Sequence, residues 1–320
     1  MRFSRTIVTV LGFALAGVTA FTDFDETPAD ATSSGAHPSA PQLPPPNTIL
    51  GVAYGEAGTR LFEFDSSGTG PARVVAEVPE GEIVDVERAP DGTVFYAFVI
   101  GDTNEIRRLG PPAAGDEVVA QGWAPAVSPD GRRLAYAYYP DNAGLCGHNG
   151  IAVLDLAIGA VQRFPGREVA PGPHGCPESE GMISTISWAP DSRRLVYEAG
   201  AADPRILDTA TDRRLDDTES LGESQAWYQP AWLADGRIAV AEPDPATGVR
   251  ILAVDPDTRQ ATEFAPANWM VGSVNGIDAD ASGRNLLVSL DGPGHGAVLF
   301  MLTEGAPPRQ IDHSYERAVW

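Results

Sequence analysis

Ile186-Ser-Trp-Ala-Pro-Asp-Ser-Arg-Arg-Leu-Val-Tyr197 is the stretch that decides the fold. It reads as an apolar strand ending in Trp, a tight turn, and a second apolar strand. The unit recurs as Pro125-Ala-Val-Ser-Pro-Asp-Gly-Arg-Arg-Leu-Ala-Tyr136, and looser copies run over Pro230 to Val240, Asp85 to Tyr96 and Ile277 to Val288. In the turn, Pro presets φ, Asp can bond its own downstream backbone, and Gly accepts positive φ. The Trp or aliphatic residue before each turn is expected to wedge between neighbouring sheets.

Outward from these turns the pattern stays strand-like. Asp91, Asp130, Asp191, Asp235 and Ser282 are spaced roughly 40 to 60 residues apart, the range of propeller blades. Short apolar runs such as Ile151 to Leu156, Val249 to Val254 and Ala297 to Leu302 follow each pair, and each precedes a more polar segment. Four strands per repeat result, with the most polar at the exposed edge. The chain stops at Arg317-Ala-Val-Trp320, where the first strand of another copy would end. Its remaining strands fit Ile49 to Tyr54, Arg60 to Asp65 and Ala72 to Val78, with the inner strand drawn from Tyr315 to Trp320. The expected fold is all-β: a six-bladed β-propeller of four-stranded blades over residues 48–320, closed by pairing N- and C-terminal strands in one blade.

The repeats Ser128-Pro-Asp-Gly-Arg-Arg-Leu-Ala-Tyr136, Ala189-Pro-Asp-Ser-Arg-Arg-Leu-Val-Tyr197 and Ala234-Asp-Gly-Arg237 resemble the WD40-like (PD40) repeats of the TolB-type six-bladed propeller family. The resemblance spans about residues 48–320 and implies architecture and a binding scaffold, with no particular partner or functional residue. It covers the propeller part alone: TolB carries an α/β domain ahead of its blades, and related oligopeptidases carry a hydrolase domain, whereas only a short tether is expected here.

Composition bounds the partners. Acidic residues number 44 against 22 basic ones, a formal net charge of −22. Such a field repels nucleic acid and anionic lipid surfaces and keeps a protein soluble. Every basic residue is Arg, which excludes Schiff-base lysine chemistry and the lysine of a phosphate-binding loop. Arg2 and Arg5, the apolar run Thr6 to Gly17 and the small residues Val18-Thr-Ala20 read as a signal peptide over 1–20, too short to span a membrane comfortably. Residues 21–47, rich in Pro, Ala and Ser, read as a disordered tether. The expectation is a monomer, secreted or in the cell envelope, with no stable membrane insertion after signal cleavage.

Candidate chemistry is sparse. The two cysteines, Cys146 and Cys176, fall in the wide interval between Asp130 and Asp191, one in each of two insertions expected on the same face. In an oxidising compartment they are expected to form a disulfide, although His148 and His174 beside them make a two-Cys, two-His metal site the alternative. No His-Glu-x-x-His spacing and no nucleophile elbow is present, so no catalytic residue is assigned. Trp227, Tyr228 and Trp269 lie near the starts of inner strands and, with His148 and His174, are the candidate binding residues for a protein, peptide or glycan. Asp85, Glu87 and Asp278 fall on inner strands lining the channel. Solvated acids are one reading; a lactonase or lyase site using them with a divalent metal such as Ca²⁺ is the other, and no cofactor is assigned.

Overall fold

The turn aspartates do what their chemistry favours. In the computed structural model, Oδ1 of Asp91, Asp130, Asp191 and Asp235 each accepts the backbone N–H two residues on, at 2.9, 3.1, 2.8 and 3.0 Å. In the fifth copy Ser282 substitutes, its Oγ accepting from the Arg284 N–H at 3.2 Å. The following position lies at positive φ, 70° at Gly131 and 55° at Ser192. Ser192 bears the strain of a side chain there, and its Oγ accepts the Asp130 N–H of the preceding repeat at 3.2 Å. The structure describes residues 48–320 except 56–57, 69, 111–114, 140–145, 148–149, 167, 170–182, 201–202, 223–225, 246–247, 267–271, 293–295, 312–314 and 316, and except the side chains of 146–147, 168–169, 292 and 296. The expected signal peptide and tether, Cys176, His148, His174 and Trp269 therefore lie outside the described residues, as does the side chain of Cys146.

Six four-stranded antiparallel sheets form the blades. Blade 1 holds Glu82–Arg88, Val94–Ile100, Thr103–Arg108 and Glu117–Gln121. Blade 2 holds Trp123–Val127, Arg133–Tyr138, Gly150–Asp155 and Val161–Phe164. Blade 3 holds Ile183–Trp188, Arg194–Ala199, Pro204–Asp208 and Glu219–Ser220. Blade 4 holds Tyr228–Trp232, Ile238–Asp244, Gly248–Val254 and Ala261–Glu263. Blade 5 holds Ser273–Ala279, Asn285–Gly292, Gly296–Thr303 and Arg309–Ile311. A separate ribbon pairs Cys146–Gly147 with Glu168–Val169, so the two insertions of the cysteine region meet through their backbones.

Blade 6 is the split one. Its inner strand is Arg317–Val319, and Thr48–Gly55, Gly58–Asp65 and Arg73–Val78 follow in order. Across the seam Leu50 faces Val319, Gly51 faces Ala318 and Val52 faces Arg317. Gly51 is required by space: a Cβ there would sit 2.6 Å from the Tyr315 ring, which stacks on Phe64 with centroids 4.9 Å apart.

The core lies between blades. Trp188 and Trp232, each the last residue of its inner strand, are about 95% buried. The Arg133 guanidinium of blade 2 lies 4.8 Å over Trp188 of blade 3, and Arg194 of blade 3 lies 5.1 Å over Trp232 of blade 4. The wedge expected from sequence is thus a Trp capped by an Arg from the blade before it.

Candidate functional site

The repeat phase relates equivalent positions of the inner strands from blade to blade. Ala89, Ser128, Ala189, Leu233 and Asp280 occupy one equivalent position, each donating its N–H back across its own turn. Side chains on a strand alternate, so counting back by two picks one face; counting back by four reaches the next equivalent position, where a bulge with positive φ at Ala124 and Gln229 interrupts the alternation in blades 2 and 4. The nearer layer is Glu87, Ala126, Ser187, Ala231 and Asp278; Val319 completes it if Trp320 takes the place of Trp188. The second is Asp85, Ala124, Thr185, Gln229 and Gly276, completed by Arg317. Asp280, which shares the Asp278 period, belongs instead to the turn: its carboxylate accepts from Ser282 Oγ and Asn285 Nδ2.

Acceptor side chains in the nearer layer fall on alternate blades. Glu87 Oε1 accepts the Val127 N–H at 3.2 Å, Ser187 Oγ the Trp232 N–H at 3.0 Å, and Asp278 Oδ2 the Trp320 N–H at 2.9 Å. These join blades 1 to 2, 3 to 4 and 5 to 6. The other boundaries use different groups. Trp188 Nε1 donates to the Ala126 carbonyl at 2.9 Å, and Val274 N–H reaches Tyr228 Oη at 3.5 Å. Between blades 6 and 1, Arg88 donates to Thr48 Oγ1 at 2.7 Å, and Arg317 Nε lies 4.0 Å from Asp85 Oδ1. Two of the three inner-strand acids thus act as joints between blades, and the third faces a cation.

Ionising these acids is costly. Burial, then the charge of Asp278 and more weakly of Asp85, raises Glu87 well above the usual carboxylate range against the bond from Val127. Burial raises Asp278 to about 7, with Asp85 and Asp280 adding to the rise and backbone N–H groups of Trp320 and Ala279 opposing it. Burial also raises Asp85, opposed by Arg317. About a fifth of the Asp85 side chain still meets solvent. Among the described residues no group of three or more His, Cys, Asp or Glu is placed to hold a metal ion. Asp85, Glu87 and Asp278 are neighbours electrostatically and do not form a coordination set.

A second concave feature lies at the periphery. A groove of about 970 Å³ runs between the outer strands of blades 3 and 4, where Arg205, Arg250 and Arg259 are interleaved with Glu219, Glu242 and Glu263. Trp227 and Leu252 also line it. Trp227 is otherwise buried and donates its Nε1–H to Glu242 at 3.1 Å. Tyr228 is half-buried and turned to blade 5 through Val274. Of the aromatic candidates, Trp227 reaches this groove, whereas Tyr228 is a joint. The arginines escaped sequence reasoning because their strands come together only when blades 3 and 4 pack side by side. Arg317 was legible: it occupies the repeat position of Asp85.

These features define a six-bladed propeller of TolB-like fold. Among solved structures it is similar to TolB from Acinetobacter baumannii, with a TM-score of 0.61 and 15% identity over 86% of this chain and 66% of that one. A protein described as TolB from Agrobacterium tumefaciens matches with a TM-score of 0.56 and 15% identity over 82% and 87% of the two chains. An oligogalacturonate lyase in complex with manganese matches with a TM-score of 0.52 and 12% identity over 80% and 71%. No family model matches the sequence, and no curated protein does. The chain spans just under two thirds of the Acinetobacter protein.

Proposed function

We propose that this chain is a non-enzymatic binding scaffold that works outside the cytoplasm, engaging an envelope or extracellular protein, peptide or glycan. One observation carries the reading. Glu87 and Asp278 are engaged in joining blades, while a groove lined by arginine, glutamate and tryptophan stays open between blades 3 and 4. Its lining is mostly charged or polar, with Trp227 and Leu252 among its large apolar side chains, which suits a polar partner better than an apolar one. Similarity to TolB structures supports the scaffold role, and the signal-like segment at residues 1–20 supports export. Among the described residues no helix is long and apolar enough to cross a membrane. A lactonase or lyase site built on Asp85, Glu87 and Asp278 with a divalent metal has weaker support, because those carboxyls are spread over joints.

The test is site-specific photocrosslinking in cells producing the full chain. A benzophenone side chain placed at Ser220, in the groove, is expected to give discrete adducts with envelope or extracellular material. The same group at Val74, on the exposed outer strand of blade 6, should give none. Equal labelling at both positions, or none at either, overturns the reading.

A further inference from the structure

At the boundary between blades 6 and 1 the core that joins the blades runs out onto the surface. Leu50 and Val52 of blade 6 belong there to one buried cluster with Tyr96 and Phe98 of blade 1. Each of these second strands pairs with its third strand without a register shift, so two residues further on the side chains keep the same sides. Those residues are Tyr54 and Ile100, and they are 47% and 41% exposed. Both stand at the turn between second and third strands, which places them on one face of the ring. The connection from blade 6 to blade 1, Val78 to Glu82, runs beside both. A Cβ on Gly58, the strand partner of Gly55 next to Tyr54, would lie 3.0 Å from the Pro79 Cα. One on Gly81 would lie 2.6 Å from the Phe98 ring and from the Val99 carbonyl oxygen.

Charge around this exposed apolar pair is one-sided. Glu80 and Glu82 lie on the connection, with Glu82 opposite Val99, and Asp102 sits in the turn after Ile100; all three are exposed. Among the described residues none of the three has a cation within ion-pair distance, whereas Arg60 and Arg107 on the same two blades are matched by Glu77 and Glu105. An apolar centre inside an acidic rim is complementary to an apolar group carried between positive charges. A second copy of the chain does not supply that, because each copy carries a net charge of −22. Anionic lipid and nucleic acid are disfavoured by the same field.

We infer that the surface formed by Tyr54, Ile100, Glu80, Glu82 and Asp102 docks a basic segment of a partner protein. One apolar side chain of that segment seats on Tyr54 and Ile100, and its flanking Arg or Lys groups meet the three acidic side chains. This surface is separate from the groove between blades 3 and 4, and the inference stands whether or not that groove is occupied.

The test is fluorescence anisotropy of three labelled peptides titrated with the full chain at low salt, where surface charge is least screened. The probes are acetyl-Arg-Leu-Arg-Trp-Arg amide, a copy with Glu in place of every Arg, and a copy with Ser in place of Leu and Trp. The first should bind with a Kd below about 1 mM, the Glu copy at least about tenfold more weakly and the Ser copy at least about threefold more weakly. Glu80→Gln combined with Glu82→Gln, and separately Ile100→Ser, should each weaken the first peptide by about threefold or more. Asp217→Asn combined with Asp257→Asn removes the same charge from exposed positions on blades 3 and 4 and should leave binding unchanged. If Ile100→Ser fails to fold, the Glu80 and Glu82 double substitution decides. No binding of the first peptide up to about 1 mM overturns the inference. Equal binding of the Ser copy overturns it as well, because no apolar seat is then used. Equal weakening by the Asp217 and Asp257 pair does the same, because it assigns the affinity to the overall field.

Discussion

Replacing Asp278 with Ser should stabilise the ring at neutral pH, because blade 3 already uses Ser187 for the same joint. Asp278 Oδ2 accepts the Trp320 N–H at 2.9 Å, and Ser187 Oγ accepts the Trp232 N–H at 3.0 Å. Serine therefore keeps an acceptor and removes the charge. Asp278 titrates near 7 in the folded chain, against 3.8 for a free aspartate, so the folded state holds a proton that the unfolded state has lost. For a raised carboxyl the sign is fixed: stability is fully present below about pH 4 and falls as pH rises toward 7. At about 1.4 kcal/mol per pH unit, the interval caps the total cost at about 4 kcal/mol. Between pH 5 and pH 7 the cap is about 3 kcal/mol, and the partial exposure of Asp278 and proton sharing with Glu87 reduce the realised loss to about 1–2 kcal/mol. Urea unfolding of wild type and Asp278→Ser at half-unit steps from pH 3 to 8 measures it. The two stability curves should diverge above pH 5, with wild type falling faster. Below pH 4 both should fall together, because carboxylates such as Asp208, held low by its bond from Arg193, lose their partners in either protein. Parallel curves from pH 5 to 8 would refute the view that burial of Asp278 strains the seam.

The ring closure itself is open to a simple test: deleting Arg317–Trp320 removes a buried strand and uncovers Leu50 and Val52. Each such apolar side chain is worth about 1.5–3 kcal/mol, so thermal unfolding should move down by about 5–10 °C or lose cooperativity. An unchanged midpoint by circular dichroism would count against a seam made this way. At the blade 2–3 boundary, Trp188→Phe should cost about 1–3 kcal/mol, because it leaves the Ala126 carbonyl without its indole donor and weakens the Arg133 contact. Chemical denaturation reads this directly, and a variant within about 0.3 kcal/mol of wild type would mean the indole bond contributes nothing net.

The sequence by itself determined the ring. Turn chemistry is local: an Asp two residues before a backbone N–H can satisfy it wherever the segment sits, so Pro129-Asp-Gly131 and Pro190-Asp-Ser192 announce their hairpins without help from the rest of the chain. The strand patterns around Ile49 and Ala318 are complementary parts of one such repeat, and the two segments pair in one sheet. Tertiary structure decided what each polar side chain does there. Glu87 and Asp278 looked alike as channel acids, and only the neighbouring blade supplied the Val127 and Trp320 N–H groups that made them joints. Arg205, Arg250 and Arg259 were scattered surface charges in the sequence. They became a groove because blades 3 and 4 stand side by side, and a pair such as Arg259 with Glu219 is a property of packed neighbours that no single strand encodes.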